Sequence, residues 1–344
     1  AVQYMCDLMG IEYEKQKEPE QGAFISRFLN GSSGASCISI DFDNREDKRT
    51  EISKKATFEI LELFEEFKIP ATWAICGITA MTEKEAFEAI LNSRVQHDIA
   101  VHTFDHVDFS SPECSDELAR SQIQKTIELL PSAAKHKTFI FPWNREGHFD
   151  LLRSEGFIAY RGKKKKLGYP SKKHDLWDIQ PVFYLSDRNY DQEDLLKAFV
   201  DVAIARRSVF HLWFHPWNLE AGGDVSKFLN RTIRPLLQYL DLKRKAGELW
   251  VCTLSDLANY CESRSRCSVS YDEAHMDSMV VSIERKPPDL RFDKAQPLTI
   301  AVRIPGKARI LKAKIDGAQV GEDTLLFGRA NQDHRFFCAN IFFD

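Results

Sequence analysis

The chain has 344 residues, a formal net charge of −4 and 43% hydrophobic residues. That is enough apolar material for a sizeable core, in two domains or in one large domain with an appendage. The near-neutral charge gives no reason to expect nucleic acid as a partner, and no apolar run approaches the roughly 20 residues that span a bilayer. No secretory signal is visible, so the expected location is the cytoplasm without membrane insertion, although a chain that begins with Ala leaves processing and secretion open. The eight cysteines include no CxxC, and Cys76 and Cys252 sit in apolar runs. Buried reduced thiols are the simplest reading, and the even count leaves disulfides open.

Residues 1–35 are irregular, with breakers in QKEPEQG and NGSSGAS, and are expected to form an arm with a loop. From residue 36 strands and helices alternate. SCISIDF reads as a buried strand, and the following segment carries Ile52, Ala56, Ile60, Leu61 and Phe64 at helical spacing. PATWAICG is a strand, EKEAFEAILNS a helix and DIAVHTF a strand running into a loop. DELARSQIQKTIELL is a helix with Ser115 as its N-cap and two acids in its first turn. KTFIFP, FIAYRG, DIQPVFYL, SVFHLWF and LWVCTL continue the strands. HFDLLRSEG, QEDLLKAFVDVAIARR, FLNRTIRPLLQYLDLKRKAGE and SDLANYCE supply the helices between and after them. This alternation predicts an α/β fold, an irregular (β/α)7-type barrel over residues 36–264. After residue 265 short strands separated by Pro, Gly and Asp turns predict a small all-β, sandwich-like domain over 265–344. A structural, capping or oligomerisation role is its plain reading, and carbohydrate binding is open to it.

A barrel of this kind places its chemistry at the C-terminal strand ends. Asp41 and Asp43 end the first strand, His102 and His106 follow the third, Pro142, Trp143 and Asn144 end the fourth, and His215 ends a late one. Asp41 and Asp43 are two apart and point to one side of the strand. Alone, such a pair is more often a loop cap. As a carboxylate couple it also raises glycoside hydrolysis, which gives the histidines no role. An HxxxH spacing by itself commonly marks a solvated helix face. Here a strand precedes it, so Asp43, His102 and His106 form a candidate three-ligand metal set that leaves coordination sites open, and Asp41 is free to act as a base.

These motifs resemble those of the polysaccharide deacetylase family, also called the NodB-homology or carbohydrate esterase family 4 group. The family's TFDD-type strand end, AT-F strand, H-S/T-x-x-H motif, R-x-P-Y segment and late strand ending in His correspond in order to SIDFDN, PATWAICG, HTFDH, FIFPWN and HLWFHPWN. The resemblance spans residues 36 to about 262. It implies an irregular barrel and a divalent-metal hydrolase that removes a small N-acyl group, acetyl or formyl, from a sugar or glycan precursor. By position it implies Asp43, His102 and His106 as metal ligands, Asp41 as base, His215 as general acid and the Trp143 N–H as oxyanion donor. Zinc is the first expectation for the metal, with cobalt, nickel, iron or manganese as alternatives. A catalytically idle glycan-binding barrel and an amide hydrolase on a non-sugar substrate are the competing readings.

The chain departs from the family pattern at three places. The acids read D-x-D rather than as an adjacent pair. Ile140 stands where the motif has its Arg, which makes Arg145 a candidate to reach the base in its stead. Trp213 replaces a small aliphatic residue two before the late His, where it would narrow the acyl pocket if it points inward. Trp143, Asn144, Arg145 and Trp213 are therefore the expected substrate contacts. Asp178 is a candidate partner for His215, Trp217 and Asn218 are candidate pocket residues, and the basic run after Tyr160 reads as a solvated loop or as an anion contact on the rim. His97 and Asp98 are expected to be structural.

Overall fold

The chain was analysed as a computed structural model, which describes residues 12–13, 22–43, 49–131, 136–163, 166–275, 278–286, 289, 291–292, 297–305, 312–315, 318–320, 325–327 and 334–341. Two short strands, β1 (Glu12–Tyr13) and β2 (Gly22–Ile25), precede β3 (Gly34–Phe42), the longest strand of the central sheet. Helix α1 (Thr50–Phe67) follows, buries Ala56, Ile60, Leu61, Leu63 and Phe64, and stops at Lys68 in the left-handed region. Then come β4 (Thr72–Ile75), α2 (Gly77–Thr82), α3 (Lys84–Leu91), β5 (Asp98–Val101) and α4 (Asp116–Glu128). Ser115 caps α4 by accepting the Leu118 N–H, the role its position ahead of two acids predicts. The series continues with β6 (Thr138–Ile140), α5 (Phe149–Ser154), β7 (Ala159–Arg161), β8 (Lys166–Leu167), β9 (Ser171–Lys173), β10 (Leu176–Asp178), β11 (Phe183–Leu185), α6 (Glu193–Arg206) and β12 (Val209–Phe214).

The segment expected as one long helix before β13 (Leu249–Val251) is built in pieces: α7 (Val225–Phe228), a π-helical turn over Leu229–Ile233, and α8 (Arg234–Lys245). Pro235 explains the break, because it has no N–H to continue the ladder and its ring displaces the preceding turn. Helix α9 (Leu254–Ser265) closes the barrel region, with Thr253 and Asp256 forming a reciprocal cap at its start.

Strands run parallel in the order β11-β12-β3-β4-β5-β6-β7-β10, with β9 antiparallel at the far edge and β13 beside the lower half of β3. Among the described residues β11 and β10 do not pair, so the barrel is irregular and open between them. Period-2 alternation sorts the side chains. Ile38, Ile40, Phe42, Trp73, Phe210, Leu212 and Phe214 face the helices. Cys37, Ala74, Ala100, Ile140 and Ala159 fill the interior. Ser39, Asp41, His102, Arg161, His211 and Trp213 share that interior face by parity. The polar residues are thus an upper layer resting on a small-residue floor.

Beyond the barrel, β14 (Cys267–His275), β15 (Ser278–Arg285), β16 (Leu298–Pro305), β17 (Lys312–Ile315), β18 (Ala318–Val320), β19 (Leu325–Phe327) and β20 (His334–Ile341) form two four-stranded sheets, β14-β15-β17-β18 and β19-β20-β16-β2. The second contains β2, paired antiparallel to β16. Residues 22–25, read from sequence as part of an arm, therefore complete a sheet of the C-terminal region. The reason is apolar burial: Ala23, Ile283, Leu298 and Ile300 cluster with Tyr260 of α9, whose hydroxyl donates to the Ser26 carbonyl at 2.9 Å. Of the rest of the expected arm, residues 26–33 lead into β3, which begins at Gly34, and residues 1–21 lie outside the described residues apart from β1. Six cysteines among the described residues are free, and no helix there is long and apolar enough to cross a membrane.

Candidate active site

The upper barrel layer gathers side chains from four strand ends. Asp43 leaves β3, and the β5–α4 loop brings His102 and His106. His102 continues the strand, while Thr103 and His106 adopt left-handed backbone with φ of 60° and 57°, a conformation that non-glycine residues hold only when surroundings impose it. Gln122 of α4 imposes it here. Its side-chain carbonyl accepts the N–H groups of Phe104 and Asp105 at 2.9 and 2.7 Å, and its amide donates to Asp105 Oδ2 at 3.0 Å. Phe104 lies over Gly77, where a Cβ would collide with the ring, so glycine is the residue that admits the loop.

The outcome is a tight cluster. His106 Nε2 lies 3.0 Å and His102 Nε2 3.7 Å from Asp43 Oδ2, and the donor atoms of all three residues are within 4.8 Å of one another. His102 Nδ1 donates to the Ile140 carbonyl at 2.7 Å. This fixes the tautomer and leaves Nε2 unprotonated in the neutral ring. That buried Nε2 has no hydrogen-bond partner, which is the signature of a ligand atom. Trp217 donates its indole N–H to Asp43 Oδ1 at 3.1 Å, so the other carboxylate oxygen is the one turned to the imidazoles.

His215 enters from the end of β12. Its Nε2 is 3.5 Å from Asp43 Oδ2 and 3.8 Å from Asp41 Oδ2. Its Nδ1 donates to the Tyr184 hydroxyl at 3.3 Å, which in turn donates to Asn218 Oδ1 at 3.0 Å. Burial disfavours the charged imidazole, but the Asp43 and Asp41 carboxylates outweigh it and raise the His215 pKa. Burial also pushes both carboxyls up. For Asp41 the Arg161 guanidinium overturns that and brings the group below the usual range. For Asp43, the neighbouring His215 and His106 imidazoles hold it well below.

Asp41, Asp43, His106 and His215 open onto one cleft of about 440 Å³, walled by Trp143, Asn144, Tyr184, Trp213, Trp217 and Arg49. Trp143 and Asn144 lie in a short 3₁₀ turn after β6 with φ of 52° and 55°, and the Trp143 ring packs edge-on to His106 at 4.3 Å. Past Tyr184 and Trp217 the cleft continues into a second basin of about 500 Å³ that includes Arg188, Asn189 and Glu220.

Residues 30–145 match the family model described as polysaccharide deacetylase. A structure assigned as a polysaccharide deacetylase from Pseudomonas aeruginosa PAO1 superposes with a TM-score of 0.53 at 13% identity, covering 68% of this chain and 92% of that one. One from Mycobacterium smegmatis gives 0.52 at 16% identity, covering 72% and 96%. The barrel shares its fold with these deacetylases, and residues 30–145 carry the sequence pattern of the polysaccharide deacetylase family. The fold is shared more widely, since the Puue allantoinase gives a TM-score of 0.50 at 13% identity over 71% of this chain and 93% of its own. No curated protein matches the sequence.

On this barrel two expectations need correction. Arg145 does not reach Asp41. It points along the rim and pairs with Asp108 at 2.5 Å, largely exposed, because the turn after Pro142 carries it outward. Asp178 does not meet His215 either. By alternation along β10 it faces the helix side, where it contacts Lys173 and Gln180. The basic partner of Asp41 is Arg161 at the end of β7, which sequence reasoning left as part of a strand. Its Nη1 and Nη2 donate to Asp41 Oδ1 and Oδ2 at 2.6 and 2.7 Å, and its guanidinium lies 4.3 Å from the Trp213 ring. A signal existed, because the strand within FIAYRG ends on a charged residue, Arg161, the criterion that selected the other site residues. Trp213 points inward and lines the cleft. In the basic run after Tyr160, Lys164 and Lys165 lie outside the described residues.

Proposed function

We propose that the protein is a metal-dependent hydrolase that removes a small N-acyl group from a sugar or glycan precursor. The observation that carries this reading is the clustering of Asp43, His102 and His106 beside Asp41 and His215 at the floor of one cleft. Two imidazoles and a carboxylate, one imidazole having a buried unpartnered nitrogen, suit a divalent cation with sites left for water and substrate. Asp43, His102 and His106 would hold it. Such an ion, zinc first among the candidates, supplies polarisation of the acyl carbonyl and a lowered pKa for water.

The chain's own groups divide the rest of the work. Asp41, kept ionised by Arg161, takes a proton from the attacking water as its oxygen bonds to the acyl carbon. Trp143 lines the cleft, and its N–H serves as the donor to the developing oxyanion. His215, whose proton is stabilised by both aspartates, gives it from Nε2 to the amine as the C–N bond breaks, with Tyr184 holding Nδ1. The products are a carboxylate and an amino sugar. Trp213 narrows the cleft beside the base, which favours a small acyl group, acetyl or formyl. The second basin gives room for a residue linked to the acylated sugar.

The test is metal content per chain, together with acetate and formate release from N-acylated amino sugars and from non-sugar amides. One metal ion per chain with release from the sugars supports the reading. Release confined to the non-sugar amides moves the substrate out of the carbohydrates. Absence of release from every substrate after metal loading overturns the hydrolase.

A further inference from the structure

We propose that Arg161 is the positioning residue of the Asp41 carboxylate, and that it performs from β7 the task that an arginine at position 140 would perform from β6. The proposal rests on the hydrolase reading above. Ile140 and Arg161 are register partners on adjacent parallel strands, so their side chains leave the sheet side by side on the same face. Both are buried within the barrel. A guanidinium can therefore reach Asp41 from either strand, and this chain places it one strand over.

The surroundings hold the guanidinium in a single pose. Nε donates to Asn144 Oδ1 at 3.1 Å, Nη1 to Asp41 Oδ1 and, at 3.3 Å, to Ser39 Oγ, and Nη2 to Asp41 Oδ2. Ser39 Oγ in turn lies within hydrogen-bonding distance of His211 Nε2, at 2.9 Å. Trp213 lies against the guanidinium at 4.3 Å and is itself packed on Tyr184 at 4.3 Å. Each Asp41 oxygen thus accepts one N–H of a rigid planar fork, which fixes the carboxylate plane and leaves the remaining lone pairs to the cleft that Asp41 lines. The same fork holds Asn144, so base and oxyanion turn are tied to one side chain. Stability alone is a poor reason for the pair. A buried ion pair is commonly no better than apolar packing, and the interior just below is built of Ala and Ile. The replacement of a small aliphatic by Trp213 and the loss of an arginine at 140 then have one cause, because the indole covers the guanidinium in its displaced seat.

The experiment compares wild type, Arg161→Gln, Arg161→Lys and the transposed variant Ile140→Arg/Arg161→Ile for kcat, KM, metal per chain and Tm. Arg161→Gln is expected to lower kcat about 100-fold, the order expected for a misplaced reacting group, with KM and metal content unchanged. The transposed variant is expected to recover at least about tenfold of that loss, because an arginine at 140 regains the two-pronged contact. Arg161→Lys, which keeps the charge but loses the fork, is expected to recover Tm without recovering kcat. Three results overturn the proposal: kcat of Arg161→Gln within about twofold of wild type, full recovery of kcat by Arg161→Lys, or a transposed variant that matches wild type in Tm yet is no faster than the single variant. If Arg161→Gln does not fold, the lysine and transposed variants decide. Absence of turnover in the wild-type chain overturns the hydrolase reading itself, and this role with it.

Discussion

The barrel buries carboxylates at both ends, and the two ends treat them oppositely. At the C-terminal strand ends Asp41 and Asp43 are surrounded by a guanidinium and three imidazoles, and both pKa values fall despite burial. At the N-terminal ends Asp98 is equally inaccessible, but its partners are neutral. It accepts the hydroxyls of Thr72 and Thr138 at 3.1 and 3.0 Å and the Ser255 N–H at 3.3 Å. Burial, with the Asp256 charge nearby, pushes its pKa up to about 6. Desolvation raises every buried acid, and only compensating positive charge reverses it. The fold supplies that charge at the end where strands open into loops, and at the other end it spends hydroxyls and a helix start instead. An acid of the upper kind is poised to act as an ion. One of the lower kind is a structural tie.

The largest expected effect breaks the upper end. His215→Ala removes the proposed proton donor and should lower kcat by about 10²–10⁴-fold, read as acetate or formate release. A loss under tenfold would remove His215 from the proton-transfer role. Next in size is the lower end. The unfolded chain releases the Asp98 proton near 3.8 and the native protein near 6, so between these values the native state binds more protons and stability falls as pH rises, then levels off. Two pKa units correspond to roughly 3 kcal/mol. Asp98→Asn abolishes this titration, and its unfolding free energy should gain on wild type by up to about 3 kcal/mol between pH 4 and pH 7 in urea melts. A difference that stays constant across that window would contradict the contrast.

Smaller changes sharpen the comparison. Tyr184→Phe removes the acceptor of the His215 Nδ1 proton and should cost about 1 kcal/mol of transition-state stabilisation, five- to tenfold in kcat, without altering metal content. An unchanged kcat would mean that the imidazole is oriented by the carboxylates alone. Smallest of all is Arg145→Ala. Its ion pair with Asp108 is exposed on the rim, and such pairs contribute 0–1 kcal/mol, so Tm and kcat should both stay near wild type. A large loss of activity would return Arg145 to the site.

Much of this architecture is legible in the chain. Alternating strand and helix patterns locate nearly every barrel element, since amphipathic periodicity depends only on neighbours along the sequence. HTFDH after DIAV places two imidazoles at one strand end, and D-x-D places two carboxylates on one face, so the pieces of the cluster are visible before any fold is drawn. The one long helix expected over 228–248 fails at Pro235, which is also local and was open to notice. Arg161 and Tyr184 are different. Whether Arg145 or Arg161 meets Asp41 depends on the register of β6 against β7 and on the outward path of the turn after Pro142. Whether Asp178 or Tyr184 meets His215 depends on which face of β10 is the interior and on the pairing of β11 with β12.

The sequence by itself determined the order of elements, the strand ends that carry chemistry and the residue types available there. The tertiary structure alone decided which guanidinium sits on the base, which hydroxyl orients His215, that Trp213 turns inward, and that residues 22–25 close a sheet with β16. Periodicity is a property of consecutive residues and survives without a fold. Pairing between strands tens to hundreds of residues apart is set by register, alternation and packing, and those exist only once the sheet has closed around its core.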